Sequence, residues 1–218
     1  MHHFINAGLY DALFIMQDTE TKTLWNHITG EALYGELAGH RLVSDNLLQM
    51  NAGQALQRYP EIQVAISDQP YTGQRPPFAA AGDEARLMDM FSETLGTEDT
   101  RQPRMEMGLG VWSGQTHRFY PSSELRKRGK AVIDTLDGRR LLIYLEPVTS
   151  TPAAIYVDAG KVFQEGKDFR LDDGSLVRSG RLIGPDENVL RVDRPQQIFT
   201  RWYGFSLTFP QPEIYGTP

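Results

Sequence analysis

The sequence contains no cysteine among its 218 residues. Within these residues this excludes a disulfide framework, a Cys-ligated zinc site, an iron–sulfur cluster and a thiol nucleophile. An excess of positive charge is also missing, because 22 Lys and Arg stand against 28 Asp and Glu, for a formal net charge of −6. The composition therefore gives no broad electrostatic footprint for nucleic acid or an anionic membrane. The expected partner is a small ligand or a protein, not a nucleic acid.

Long hydrophobic runs are absent too. No stretch approaches the roughly 18 uninterrupted apolar residues that a membrane-spanning helix needs, so no membrane span is predicted. Residues 1–8 contain no Lys or Arg and no long apolar run, which excludes a signal peptide or a transit peptide in the sequence as given. Because a strand-like apolar pattern begins almost at once, near Leu9, we expect the start to be truncated relative to a longer protein. The cellular location is left open.

Short apolar segments separated by turn residues run through the sequence. Residues 12–17 and 23–25 read as a strand pair around a polar turn, and residues 141–145 form a continuous apolar run typical of a strand buried on both faces. Further short strands follow up to residue 177. The predicted fold class is mainly β or α+β, built from short antiparallel strands.

Three helices are predicted. Asn51 and Gln54 form a capping-box pattern at the start of a short helix that Pro60 ends. Asp83 could cap a second helix, which Gly96 would end. The segment 195–209 fits both an alternating strand and a helix, and Pro195 as a first helical residue favours the helix.

A weak internal duplication is the simplest interpretation of two similar endings. An aromatic residue and a proline close an amphipathic segment at Tyr59 and Pro60, and again at Phe209 and Pro210. The sequence therefore predicts two related β-rich units, each closed by one helix. We expect residues 1–66 to be the C-terminal part of a first repeat, residues 67–104 a linker with a possible helix, and residues 105–218 a second, complete repeat.

The first forty residues contain a set of short motifs. They are Tyr10, Asp11, Ala12 and Leu13, then Asp18, Thr19, Glu20 and Thr21, then the run from Leu24 to Ala32 that includes Trp25, Thr29, Gly30 and Glu31, then Gly35, Glu36, Leu37, Ala38 and Gly39. These motifs resemble the core signature of the prokaryotic domain of unknown function numbered 3179. Later residues resemble the same family's second half, notably those around Phe119, Tyr120 and Pro121, those from Val132 to Gly138, and those from Phe209 to Tyr215.

The resemblance implies no established activity. It does imply exported, duplicated β-rich proteins, many of which carry a Cys-Pro-Leu-Cys motif upstream of the strand that here contains Tyr10. The corresponding stretch of the second copy, residues 144–149, has no Cys. Redox or metal chemistry that needs those thiols is therefore absent from this chain.

Several polar and aromatic residues near the first strands could line a binding site. A stacking ring, an imidazole and a carboxylate would alternate along one strand, although a core role for the tryptophan and a structural cap for the aspartate explain the same residues. The candidate ligand-binding residues are Tyr10, Asp11, Trp25, His27, Thr29 and Glu31. No metal site is predicted, because the five His lack the spacing that places two on one face. No cofactor is predicted.

Three functions remain open. The favoured hypothesis is a non-catalytic β-rich module that binds a ligand or a partner near Trp25 and Glu31, which makes an enzyme the less expected outcome. The first alternative is a portion of an exported redox- or metal-handling protein, as the resemblance implies. The second is a hydrolase that uses Asp11 or Glu31 with His27, which requires these groups within about 3 Å of a common site.

Overall fold

A computed structural model describes residues 2–63, 66–68 and 87–217, and they are mainly β. The predicted fold class is confirmed. The strands are β1 (Phe4–Tyr10), β2 (Leu13–Asp18), β3 (Leu24–Asn26), β4 (Ala32–Tyr34), β5 (Met107–Ser113), β6 (Thr116–Pro121), β7 (Ala131–Leu136), β8 (Arg139–Leu145), β9 (Pro152–Tyr156), β10 (Val162–Glu165), β11 (Asp168–Leu171), β12 (Leu176–Arg178), β13 (Arg181–Ile183), β14 (Gln196–Arg201) and β15 (Glu213–Ile214). The helices are α1 (Ala52–Arg58), α2 (Asp89–Ser92), α3 (Ser122–Lys127) and α4 (Trp202–Thr208).

The strands form four small sheets in the described part of the chain. Their orders are β1-β2-β3-β4, β10-β11-β12-β13, β14-β5-β6-β15 and β7-β8-β9. The first, second and last of these consist of antiparallel pairs. In the remaining sheet β5 and β6 are antiparallel, whereas β15 joins β6 in parallel. Three of the four sheets are thus meanders, as expected from short strands separated by turns.

The chain divides into two compact units, each built from separate segments. Unit 1 contains the described residues within Met1–Asp45, Pro77–Met105 and Arg201–Gln211, and so includes β1 to β4, α2 and α4. Unit 2 contains the described residues within Asn46–Pro76, Glu106–Thr200 and Pro212–Pro218. The predicted duplication divides the chain into contiguous segments instead, and it stays a prediction.

Strand β8 is buried on both faces, as its apolar run predicts. Leu142 and Tyr144 belong to one buried cluster, together with residues of β9 and β11. Leu141, Ile143 and Leu145 point the other way, into a second cluster that also contains residues of β5 and α3. Because side chains alternate along a strand, one continuous apolar segment serves two cores at once.

The capping box before α1 is confirmed. The Asn51 side chain accepts a hydrogen bond from the Gln54 backbone, and the Gln54 side chain accepts one from the Asn51 backbone, both at 2.9 Å. These bonds satisfy two of the backbone N–H groups that the first helical turn leaves open. The helix ends at Arg58, two residues before Pro60.

The other two helix predictions fit less well. In the second, Asp83 lies outside the described residues, and the described helix α2 is a single turn that begins after Leu87 and Met88. The prediction of one helix over residues 195–209 is wrong in its first half, where β14 adds to the edge of β5 before α4 begins at Trp202. The alternating and helical patterns were both real, but they occupy successive parts of the segment.

None of the described helices is long and apolar enough to cross a membrane.

Candidate functional site

The turn between β2 and β3 is organised around the buried carboxylate of Asp18. The Thr21 backbone N–H donates to Asp18 Oδ1 at 2.6 Å, and the Thr21 hydroxyl donates to Oδ2 at 2.7 Å. The Trp25 indole Nε1 donates to the same Oδ2 at 2.9 Å. Three donors therefore compensate the desolvation of this carboxylate, which is why a charged residue can close an apolar strand.

These donors decide the ionisation of Asp18. Burial by itself would raise the pKa of the carboxyl group, but the hydrogen bonds from Thr21 and Trp25 and the nearby His2 ring lower that pKa well below its usual range. A similar contact acts on Glu20, whose Oε1 lies 2.5 Å from His3 Nδ1. Hydrogen bonds from the side chain and backbone of His3 lower the pKa of Glu20 to about 2. Both carboxylates are thus negatively charged near neutral pH.

Two glycines of the segment from Leu24 to Gly39 are required by geometry. Gly30 has φ = +70° in the turn that leads to β4, and a Cβ there would lie 3.3 Å from Leu42 Cβ. Gly35 has φ = +110°, and a Cβ there would lie 2.8 Å from the Thr23 Cα. Any other residue would be strained at both positions, so this part of the motif has a structural explanation.

Trp25 lies in the core of unit 1, on the inner face of the sheet. Its side chain is buried, and its ring packs edge-on against Phe4 with 6.1 Å between ring centroids. Cross-strand pairing places Trp25 on the same face as Met16 and Ala32. The ring and its hydrogen bond to Asp18 thus connect β3 with β1 and β2.

The other predicted polar residues each bind a different partner. Asp11 Oδ1 accepts a hydrogen bond from the Gly96 backbone at 2.9 Å. His27 Nδ1 lies 2.7 Å from the Phe14 carbonyl oxygen. Thr29 is buried, and its hydroxyl accepts a bond from the Glu31 backbone at 3.3 Å. Among the described residues no hydrogen bond joins Asp11 or Glu31 to His27, so these residues give the hydrolase hypothesis no support.

Glu31 is exposed to solvent directly before β4. Its carboxylate lies 3.7 Å from an Arg41 guanidinium nitrogen, and both side chains are about half exposed. The backbones of the two residues also form an isolated β-bridge. An ion pair this exposed contributes little to stability, because water solvates both partners.

Tyr10 lies apart from these residues, on the opposite, outer face of the unit 1 sheet. Directly paired residues of antiparallel strands share a face, and Tyr10 pairs with Leu13, Gly8 with Ile15, and Gln17 with both Ile5 and Leu24. This outer face is open to solvent, and Tyr10 itself is 66% exposed. Tyr10 and Trp25 therefore cannot line one pocket.

A groove of about 710 Å³ runs along the outer face, and we call it the outer groove. Its lining carries no charged side chain. The lining residues are Ala7, Gly8, Leu9, Tyr10, Ile15, Gln17, Leu24 and Leu33. Of these residues, the sequence predicts only Tyr10 as a candidate for ligand binding. The alternation of Ile15 with Gln17 along β2 and the exposed Leu33 are weak signals, since local sequence does not tell which face of a sheet is covered.

Unit 2 has a fully bonded polar network between β6 and β7. Asp134 Oδ2 accepts bonds from the Tyr120 hydroxyl at 2.9 Å and from Arg118 Nη1 at 2.7 Å. Arg118 also donates to Glu213 at 2.7 Å. Burial, followed by the Asp134 charge, raises the pKa of the Tyr120 hydroxyl well above its usual range. The network joins β15 to β6 and β7, so a structural role accounts for these polar residues.

A second buried polar contact in unit 2 is less well satisfied. Arg58 at the end of α1 lies 3.6 Å from Glu146, and the two side chains are only 5% and 1% exposed. Glu146 Oε2 accepts bonds from the backbones of Val148 and Thr149. Nη1 of Arg58 and Oε1 of Glu146 have no hydrogen-bond partner in the described part of the chain. The charges depend on each other for compensation.

An open cleft of about 480 Å³ lies at one end of β8 in unit 2. Arg139 stacks on the Tyr156 ring and binds Asp193 at 2.6 Å. Arg140 donates to the Asp158 carbonyl at 2.6 Å. Because these cations are already paired with groups of the cleft itself, the cleft gives weaker support for a binding site than the outer groove.

The comparisons with known proteins identify a family and nothing finer. No curated protein matches the chain, and no solved structure matches it. The model of one family matches residues 4–206, which include β1 to β14 and most of α4. The chain therefore belongs to the family described as Protein of unknown function (DUF3179).

Proposed function

We propose that this chain is a non-catalytic binding module that holds an extended, apolar segment of a partner protein in the outer groove. The observation that carries the proposal is the combination of an uncharged groove of about 710 Å³ with the edge strand of a sheet. Of the residues predicted from sequence, Tyr10 belongs to the site. Trp25 supports it from the other face.

The lining of the groove favours an uncharged ligand. Ligand pockets commonly have volumes of about 300–1,000 Å³ and mostly apolar walls, and the outer groove fits both criteria. Its polar side-chain groups are the Gln17 amide and the Tyr10 hydroxyl. A charged ligand would lose its hydration without gaining a partner of opposite charge. Apolar side chains would gain by burial against Ile15, Leu24 and Leu33.

The edge strand favours a polypeptide over a small molecule. Four consecutive residues of β1, from Ala7 to Tyr10, line the groove. Strand β1 pairs with β2 on one side and has no strand partner on the other among the described residues. An extended segment that adds to this edge would bond to the β1 backbone and place alternate side chains in the groove. The irregular register between Asn6 and Gly8 limits indefinite strand addition at this edge.

A peptide display experiment tests the proposal. Random heptapeptides are selected on the immobilised full chain, and the affinity of enriched peptides is measured by fluorescence polarisation. We expect peptides with alternating apolar residues and no charge at the alternating positions. Leu33→Glu places a charge in the groove and should weaken their binding at least tenfold. Val43→Glu is the matched control, because Val43 is 98% exposed and does not line the groove.

Four outcomes would contradict the proposal. One is an absence of enriched peptides. Another is equal binding to the wild type and to Leu33→Glu. The third is a stable dimer in light scattering that Leu33→Glu dissociates, because the groove would then hold a second copy of this chain and not a partner. A small apolar dye that binds the groove without any peptide enrichment would also overturn the choice of a polypeptide.

A further inference from the structure

A second group of residues in unit 1 has the chemistry of a metal site. We propose that His2, Asp18 and Glu20 together bind a divalent first-row transition-metal ion, with Zn²⁺ as the representative. This site lies where the start of β1 meets the end of β2, and it does not share a residue with the outer groove. The metal-site proposal can therefore be tested independently of the peptide-binding proposal.

The geometry is close to that of a coordination shell. One ligand atom from each of the three side chains lies within 4.8 Å of the other two. His2 Nδ1 is 3.5 Å from Asp18 Oδ1 and 4.0 Å from Glu20 Oε2. Bonds of about 2.0–2.2 Å in a tetrahedral zinc site place ligand atoms about 3.3–3.6 Å apart. The distance from His2 to Asp18 lies within this range, and the distance from His2 to Glu20 is about half an ångström longer.

The backbone around the site is held by strand pairing. Phe4 pairs with Asp18 across β1 and β2. The Thr19 backbone donates to the His3 carbonyl at 2.9 Å, and the His3 backbone donates to Glu20 Oε2 at 2.9 Å. These bonds fix the backbone on both sides of the site, so binding of an ion would mainly order the His2 side chain.

Asp18 and Glu20 are oriented by groups behind them. Thr21 and Trp25 hold the Asp18 carboxylate in one orientation. The His3 ring lies 2.5 Å from Glu20 Oε1, which leaves Oε2 on the side of His2. Such outer partners hold ligands in position and are typical of functional metal sites.

The donor set indicates the class of ion. Two carboxylates carry two negative charges, which balance a divalent cation. An imidazole nitrogen favours zinc and its neighbours in the first transition row over magnesium or calcium, which prefer oxygen donors. Because the protein supplies three ligands, further coordination positions would remain for water or an external ligand.

Isothermal titration with ZnCl₂ tests the site. The protein is the full chain without a histidine tag, treated with chelator and dialysed. We expect one saturable site per chain, at least tenfold weaker in His2→Gln and in Glu20→Gln. Both side chains are more than a third exposed, so these variants should fold normally, which circular dichroism checks. His40→Gln is the matched control, because His40 is exposed and outside the cluster.

Two results together support the proposal. The affinity for Zn²⁺ falls in the two cluster variants only, and excess Mg²⁺ does not lower the affinity of the wild type for Zn²⁺. The absence of saturable zinc binding in the wild type would overturn it. So would an equal loss in His40→Gln, unchanged affinity in His2→Gln and Glu20→Gln, or displacement of Zn²⁺ by about 10 mM Mg²⁺, which would indicate a general cation site.

Discussion

The three-stranded meander β7-β8-β9 and the four-stranded meander β1-β2-β3-β4 each contain a strand with a similar apolar sequence. The environments of these two strands differ. Both contain a short, continuous apolar run, Leu13–Met16 in β2 and Leu141–Leu145 in β8. In β8 every one of these side chains is buried. In β2 none of the four is fully buried, and Phe14 is exposed.

The difference shows that an apolar run does not by itself indicate a core. Strand β8 is central and has a hydrophobic cluster on each face. Strand β2 is also central, but the outer face of its sheet carries the outer groove. Exposed apolar surface of this kind is a common mark of an interaction site. The same residue types thus stabilise unit 2 and, by our proposal, bind a partner in unit 1.

The largest expected effect contrasts a buried ion pair in unit 2 with an exposed one in unit 1. Arg58→Met should lower the free energy of unfolding by about 3–5 kcal/mol, because it leaves the buried Glu146 charge uncompensated. Arg41→Met, which removes the exposed partner of Glu31, should change it by at most about 0.5 kcal/mol. Urea denaturation of both variants measures the difference. Equal losses would show that burial does not separate the two pairs.

Next in size is the truncation of one leucine in each sheet. Leu142→Ala removes a fully buried side chain from β8 and should cost about 2–5 kcal/mol. Leu33→Ala removes a side chain that is 46% exposed, and we expect a loss below about 1 kcal/mol. The comparison uses the same substitution and the same denaturant. A loss at Leu33 as large as that at Leu142 would mean that the outer groove is part of a core.

A smaller effect tests whether Trp25 is structural. Trp25→Phe keeps a ring against Phe4 but removes the indole N–H that donates a hydrogen bond to Asp18. We expect a lower urea midpoint, by less than for Leu142→Ala, because most of the buried ring remains. Affinity for the selected peptides should not change in the folded variant. Weaker peptide binding with unchanged stability would return Trp25 to the binding site.

The smallest effect is a pH-dependent one in unit 2. Burial and the Asp134 charge raise the pKa of Tyr120 in the folded protein. The stabilisation from the neutral hydroxyl is therefore complete below the unfolded value of about 10 and is lost as pH rises above it. Tyr120→Phe cannot titrate, so its urea midpoint should fall less steeply than that of the wild type between about pH 9 and 11. Parallel curves would contradict the assigned shift.

Much of the fold could be predicted from local patterns. The capping box of Asn51 and Gln54 is complete within four residues, so nothing distant was needed to recognise it. The segment 195–209 was harder, because strand and helix patterns overlap there and only pairing with β5 selects a strand for Gln196–Arg201. The candidate site depends on residues that are far apart in sequence. Tyr10 and Leu33 line the same groove only once β1 to β4 have paired.

The sequence alone determined that this chain is mainly β, where several of its turns fall, and to which family it belongs. These properties depend on short-range periodicity, turn chemistry and local motifs, which neighbouring residues carry. Only the tertiary structure decided which face of each sheet is covered, that Trp25 is buried on the inner face of the unit 1 sheet, and that His2 lies beside Asp18 and Glu20. Burial and proximity depend on residues distant in sequence, so no local pattern specifies them.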